Sequence, residues 1–201
     1  MANTRVGVLV SGGGTDLQSI IDAVEKGQLK EVDLACVISS KRDAYALERA
    51  ERHGIQAYGV TKQEYPDSQE RNEAIMAILA KEQVDLVVLA GYLSILPKEA
   101  VQSYKGRLIN IHPALLPKYG GKNFYGIHVH EAVLVAGEKE SGATVHYVDE
   151  GVDTGEIILQ EKVPVLAEDT PETLQQRVLE VEHIILPKAV GMVAAKLQER
   201  S

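Results

Sequence analysis

Asp85-Leu86-Val87-Val88-Leu89-Ala90 is the stretch on which the fold turns. After its leading aspartate it is apolar at every successive position, so a strand built from it must be covered on both faces, the condition of a parallel strand lying between helices. Similar short runs bounded by turn residues stand at Arg5 to Val10, Val32 to Ser39 and Arg107 to Ile111, with longer patterned segments between them. Helices are expected to start near Thr15 or Asp16, around Ala44, after Asp67-Ser68 and near Val129, where polar capping residues or apolar repeats at helical spacing occur. Their lengths suit crossover connections. The alternation therefore reads as βαβ, an α/β fold with a mostly parallel central sheet and helices on both faces.

The pattern changes toward the C-terminus. Ala143 to Val148 and Glu156 to Val165 are strand-like runs separated only by Asp149-Glu150-Gly151-Val152-Asp153-Thr154-Gly155, too short for a crossover helix, so an antiparallel portion is expected there. Thr170-Pro171-Glu172 opens a last helix with Thr170 as N-cap, Pro171 at the first helical position and an apolar stripe of Leu174, Val178, Val181 and Ile185. Pro187 is expected to kink or end it. With no internal repeat, low-complexity tract or Ser/Pro-rich linker, residues 1–201 read as one domain with two halves, 1–105 and 106–201.

Composition narrows the function. At 45% hydrophobic and 25% charged over 201 residues the chain has a globular balance, which argues against disorder or a disulfide scaffold. Lys+Arg 21 against Asp+Glu 29 leaves a net charge of −8, a surface that repels a nucleic-acid backbone and favours small-molecule partners. The single cysteine, Cys36, lies in an apolar run and reads as a small buried hydrophobe. Met1-Ala2-Asn3-Thr4-Arg5 lacks the layout of a signal peptide, and no apolar stretch approaches the ~18 residues of a membrane span, so a cytoplasmic location without membrane association is expected. With no Trp and one Phe, a pocket for a flat heterocycle would be walled mainly by Leu, Ile and Val.

Two constellations carry chemistry. Ser11-Gly12-Gly13-Gly14-Thr15-Asp16 follows the first strand and opens a helix, where free backbone N–H groups and the helix dipole form an anion site suited to phosphate. The Gly-Lys-Ser/Thr ending of a Walker A loop is absent, and Leu17 stands where a dinucleotide fingerprint needs its third glycine. Ser39-Ser40-Lys41-Arg42 at the end of the second strand has no acidic residue for NAD, although its cations keep an NADP-linked nucleotide-binding domain open as an alternative. The second constellation is Asn110-Ile111-His112-Pro113. Side chains two apart in a strand point the same way, ~6–7 Å apart, so an amide and an imidazole would face one pocket. That pair suits acyl chemistry, the amide donating to an oxyanion and the imidazole donating to it or handling the proton of an attacking amine.

Three further segments have two readings each. The acidic turn 149–155 is either a solvated turn or the source of a carboxylate that supports an imidazolium. Tyr119-Gly120-Gly121-Lys122-Asn123-Phe124-Tyr125-Gly126 is either an exposed loop or a lid. His128-Val129-His130 would have metal-ligand spacing in a strand, but it falls where a helix should begin, and no metal is expected.

On Val8 to Gln18, Leu89 to Leu96 and Asn110 to Tyr119, followed by Gly142 to Asp149 and Val152 to Gly155, the chain resembles the phosphoribosylglycinamide formyltransferases, folate-dependent enzymes of purine synthesis. The resemblance spans nearly the whole chain and implies a Rossmann-like formyltransferase fold, with a phosphate-binding half at 1–105 and a formyl-transfer half at 106–201. It further implies that Asn110 and His112 bind and polarise the formyl oxygen of 10-formyltetrahydrofolate, the formyl donor, with Asp153 keeping His112 protonated. The glycinamide amine attacks, no metal takes part, and the state is monomer or homodimer. Gly14, Thr15 and Asp16 match the segment that binds the substrate phosphate, and Glu182 an acidic residue that contacts the ribose. Leu93, Ser94, Ile95 and Leu96, with Asn110 and Asp149, match the folate pocket. Asp16 stands where Asn is frequent, and its side chain is expected to turn away and cap the helix. Ser94 replaces a frequent Arg, and Leu179 a Gln that helps hold the substrate. Within the wider superfamily, a formyltetrahydrofolate hydrolase using water as acceptor is the nearest enzymatic alternative.

Overall fold

The computed structural model describes residues 2–199. In chain order the elements are β1 (Thr4–Val10), α1 (Thr15–Glu25), β2 (Val32–Ser39), α2 (Tyr45–Arg52), β3 (Gln56–Gly59), α3 (Ser68–Lys81), β4 (Leu86–Leu89), α4 (Lys98–Ser103), β5 (Leu108–His112), α5 (Ile127–Val135), β6 (Glu140–Tyr147), β7 (Ile157–Pro164) and α6 (Pro171–Gln198). The expected strands all form. They build one seven-stranded sheet in the order β3-β2-β1-β4-β5-β6-β7. Pairings from β3 across to β5 are parallel, and β5–β6 and β6–β7 are antiparallel. The apolar run that suggested a doubly covered strand does so because β4 is central, with Leu86, Val87, Val88 and Leu89 all buried.

Two cores flank the sheet. On one face Leu17, Ile20 and Ile21 of α1 and Val178, Leu186 and Val190 of α6 pack with Val6, Val8 and Val10 of β1. On the other, Ile75 and Leu79 of α3 and Val101 and Tyr104 around α4 cover Leu9, Ile38, Val87 and Leu108. Cys36 is buried in this second core. Because the chain runs from β1 to β2 and β3 on one side, then crosses back to β4 on the other, the C-terminal ends of β1 and β4 open a crevice at the reversal of strand order. Ser11 Oγ accepts from Leu93 N–H at 2.9 Å across that crevice, tying the loop after β1 to the loop after β4.

Three details depart from the sequence expectation. Pro187 does not end α6, which runs on to Gln198. Burial of Leu186, Ala189, Val190, Val193 and Ala194 against the sheet side offsets the one backbone hydrogen bond that proline removes. The short strand β3 and the six-residue α4 were not anticipated, since neither has enough residues to display a period. The start of α6 is as expected, with Thr170 and Thr173 forming a reciprocal capping box and Pro171 in the first turn. Among the described residues no helix is long and apolar enough to cross a membrane.

Candidate active site

A cavity of about 1170 Å3 lies along the C-terminal ends of the parallel strands. Thr15, Asp16 and Glu182 line one part of it, Asn110, His112 and Asp153 the middle, and Leu93, Ser94, Ile95, Leu96 and Asp149 another part. Every sequence-predicted site residue except Gly14 is thus a wall of one space. Gly14 acts from behind as the N-cap of α1, with φ 72°. A Cβ there would stand 2.6 Å from the Ala46 Cβ, so only glycine lets α2 approach the start of α1.

The centre is built by strand register and one turn. Asn110 and His112 lie two apart on β5, as expected, and Asn110 pairs with His146 of the antiparallel strand β6. The turn after β6 then carries Asp153 inward, at φ 58°, a left-handed conformation that Asp tolerates better than most residues. Asp153 Oδ2 lies 3.6 Å from His112 Nδ1 and accepts from Gly121 N–H at 3.0 Å. Its Oδ1 lies 3.6 Å from His146 Nε2 and 3.5 Å from Asn110 Nδ2. The carboxylate is thus enclosed by two imidazoles, an amide and a backbone donor. Burial raises its pKa, and the His146 hydrogen bond, the His112 charge and the Gly121 N–H more than reverse this, so Asp153 is held below the ordinary carboxylate range.

The proton positions follow from the partners. His112 Nε2 is 2.7 Å from the Tyr119 carbonyl, which only accepts, so Nε2 keeps its hydrogen and Nδ1, toward Asp153, is the nitrogen that titrates. Burial lowers the His112 pKa, Asp153 and the Tyr119 carbonyl raise it, and His146 lowers it; the net direction is down. Asp153 thus favours the imidazolium, as the resemblance implies, and burial opposes it. His146 Nδ1 donates to the Tyr147 carbonyl at 2.8 Å, and its Nε2 faces both Asp153 Oδ1 at 3.6 Å and Asn110 Nδ2 at 3.2 Å. Asn110 Nδ2 thus has two contacts, His146 Nε2 at 3.2 Å and Asp153 Oδ1 at a long 3.5 Å, and the longer is the one a ligand oxygen would replace.

His146 and His130 are the site residues that sequence reasoning missed. His146 carried one signal, a polar side chain within the apolar run Ala143 to Val148, but its placement opposite Asn110 needs the strand register. His130 belongs to α5, is buried and lines the cavity; burial, then the His112 charge, pushes its pKa down to about 4. His128, by contrast, pairs with Glu131 one turn along α5, so the two histidines do not share a ligand position. No group of three or more His, Cys, Asp or Glu able to hold a metal is present among the described residues.

The loop 119–126 is anchored at its base by the Tyr119 carbonyl to His112 and by Gly121 N–H to Asp153, while Tyr125 stays exposed. The acidic turn is partly self-contained. Asp149 Oδ1 accepts from Gly151 N–H and Thr154 Oγ1, and Glu150 reaches back to Lys98 at 3.2 Å and Gln102 at 3.0 Å. Lys41 and Arg42 do not line the cavity, and Arg42 is engaged by Glu64, so the geometry does not support a 2′-phosphate site there.

The expectation for Asp16 is overturned. No side chain caps α1, and Asp16 Oδ1 has no hydrogen-bond partner. The side chain turns instead toward α6, with Oδ1 3.7 Å from His183 Nε2 and Glu182 beside it. The N-cap is Gly14, which has no side chain to serve, and Asp16 lies two residues beyond the cap position, too far into the helix to act as its cap.

The residue pattern of the family described as formyl transferase matches residues 4–190. A phosphoribosylglycinamide formyltransferase of Haemophilus influenzae is 43% identical over 92% of this chain and 85% of its own length. A trifunctional purine biosynthetic protein adenosine-3 of Drosophila pseudoobscura is 44% identical over 95% of this chain, which spans only 14% of that longer protein. Among solved structures, a glycinamide ribonucleotide transformylase of Symbiobacterium toebii superposes with a TM-score of 0.90 at 41% identity, covering 96% of this chain and 89% of that one. A formyltetrahydrofolate deformylase of Pseudomonas syringae superposes at 0.86 with 30% identity, covering 98% and 62%. The sheet order, the crevice at the β1/β4 reversal and the site on β5 are those of a Rossmann-like formyltransferase fold, and the chain belongs to the formyl transferase family.

Proposed function

We propose that this chain transfers the formyl group of 10-formyltetrahydrofolate to the amine of 5′-phosphoribosylglycinamide in purine biosynthesis, acting on small molecules in the cytoplasm. The observation that carries the reading is the Asn110, His112, Asp153 and His146 cluster in the middle of a cavity that also takes in the N-terminus of α1 and the apolar loop 93–96. The phosphate sits at the N-terminus of α1, on the backbone of Gly14, Thr15 and Asp16, with Glu182 toward the ribose. The folate lies along Leu93 to Leu96 and Asp149, which brings the formyl group to Asn110.

The amine nitrogen attacks the formyl carbon, and the carbonyl electrons move to oxygen. The Asn110 amide donates to that oxyanion in place of its 3.5 Å contact with Asp153. Neutral His112 accepts the amine proton on Nδ1, directly or through a water, and Asp153 stabilises the imidazolium that results. His112 returns this proton to the folate nitrogen as the carbon–nitrogen bond breaks, which leaves formylated amine and tetrahydrofolate. The proton travels from one nitrogen to the other, so no metal and no covalent enzyme intermediate is required.

The test is absorbance-monitored deformylation of 10-formyl-folate with and without phosphoribosylglycinamide. Conversion that depends on the amine is the expected result. Conversion with the folate alone would identify a hydrolase, and no conversion in either tube would overturn the reading.

A further inference from the structure

The phosphate end of the cavity holds a feature that formyl transfer does not use. Asp16 and Glu182 are two carboxyl groups brought together by α1 and α6, both lining the cavity, with Glu182 only 7% exposed. Asp16 Oδ1 receives no hydrogen bond, and neither does His183 Nε2, 3.7 Å away and also buried. The charged groups that bear on this cluster are few. From α6 come Glu182 and His183. Asp22 of α1 and Arg49 of α2 act on His183 from opposite directions. Arg49 is itself spent on the Gly13 carbonyl and the Gln18 amide oxygen, at 2.8 and 3.0 Å. Among the described residues no Lys or Arg is therefore committed to Asp16.

Resting on the phosphate-site reading above, we propose that Asp16 and Glu182 are a proton-holding acid pair that binds the phosphorylated substrate with uptake of a proton. The reason is repulsion in a buried place. Asp16 Oδ1 accepts no hydrogen bond, and what favours its charge is the positive end of the α1 dipole. A phosphate at that helix end offsets the dipole and sets a dianion beside two carboxyl groups. A buried carboxylate facing a dianion is costly, and protonation relieves the repulsion. The protonated acid then becomes a donor toward the substrate oxygens, the part an asparagine amide would play without a proton. Burial already pushes the Asp16 carboxyl up to about 7 and, together with the Asp16 charge, lifts Glu182 well above the carboxylate range. Binding thus starts close to the point of proton exchange.

The experiment is isothermal titration calorimetry of phosphoribosylglycinamide, and separately ribose 5-phosphate, at pH 8 in two buffers of different ionisation enthalpy. Wild type is expected to take up about one proton more than Asp16→Asn, the isosteric variant serving to subtract the phosphate's own titration. Glu182→Gln is expected to reduce uptake as well. In wild type, affinity is expected to fall about tenfold per pH unit above pH 7, and Asp16→Asn should flatten that slope. Binding with equal proton uptake in wild type and Asp16→Asn would overturn this proposal and leave the transferase reading intact. Proton-coupled binding of ribose 5-phosphate without binding of phosphoribosylglycinamide would support the acid pair and overturn the substrate assignment. Failure of both ligands to bind would remove the phosphate site and the proposal with it. Should Asp16→Asn not fold, the wild-type pH slope and buffer difference decide, since a pH-independent affinity with no uptake beyond the phosphate's own would refute the pair.

Discussion

At the scale of the residue, His112 has two different neighbours and hence two different nitrogens. The Tyr119 carbonyl holds hydrogen on Nε2, and the Asp153 carboxylate faces Nδ1, favouring a proton there that burial disfavours. If the neutral ring is the working form, the rate falls on acidification only below the ordinary imidazole value of about 6.5 and is flat above it. Asp153 raises the affinity of His112 for its proton, so Asp153→Asn should shift that acid limb to lower pH and also lower the plateau, because the imidazolium intermediate loses its counter-charge. Asn also tolerates the left-handed backbone at this position, which keeps the turn intact. His112→Ala should cost about 10²–10⁴ in kcat, and Asn110→Ala about 10²–10³ through the lost oxyanion donor. Steady-state kinetics from pH 5 to 9 checks all three. A plateau unchanged in Asp153→Asn would remove that carboxylate from the mechanism.

At the scale of the element, the N-terminus of α1 is prepared by α2. Gly14 closes against Ala46, and Arg49 of α2 donates to the Gly13 carbonyl, so the loop that presents its N–H groups is held from behind by a second helix. Gly14→Ala would face both a left-handed backbone and a Cβ contact of 2.6 Å, and must push α2 outward. The expected cost is on the order of 2–4 kcal/mol in stability, together with weakened phosphate binding as the N–H groups lose their aim. Thermal denaturation and a phosphate-substrate titration measure the two effects. Stability lost with binding unchanged would mean that the loop does not cradle the phosphate. The helix α6 makes a related point, since its stripe of apolar residues was legible but its persistence through Pro187 was not. A local rule about a missing N–H cannot weigh the buried surface that the next three turns supply.

At the scale of the whole molecule, the two ends of the cavity stand on different strands. The α1 N-terminus follows β1, and Asn110, His112 and His146 stand on β5 and β6, with β4 between them. At ~4.8 Å per strand spacing, β1 and β5 are about 10 Å apart. On the proposed function the phosphate is held mainly from the loop after β1 and the formyl group from β5 and β6. His112→Ala should bind phosphoribosylglycinamide within about twofold of wild type while losing turnover, a difference that calorimetry and kinetics on the same preparation resolve. A large loss of affinity would show the two ends to be coupled, as closure of loop 119–126 over both would make them.

The alternation of doubly covered strands with helices was written in Asp85 to Ala90 and its counterparts, because burial on both faces imposes an apolar residue at every position. The placement of Asn110 and His112 on one face of a strand followed from the two-residue period alone, and the glycine loop followed from what a strand-to-helix turn demands of the backbone. Local chain geometry determines such things, and a sequence displays it. Asp153 reaching His112, His146 standing opposite Asn110, and Asp16 turning away from the cap position toward α6 were decided only in the tertiary structure. Each depends on which element packs beside which, and on how much water that packing removes. The same imidazole or carboxyl is neutral or charged according to neighbours that lie far away along the chain.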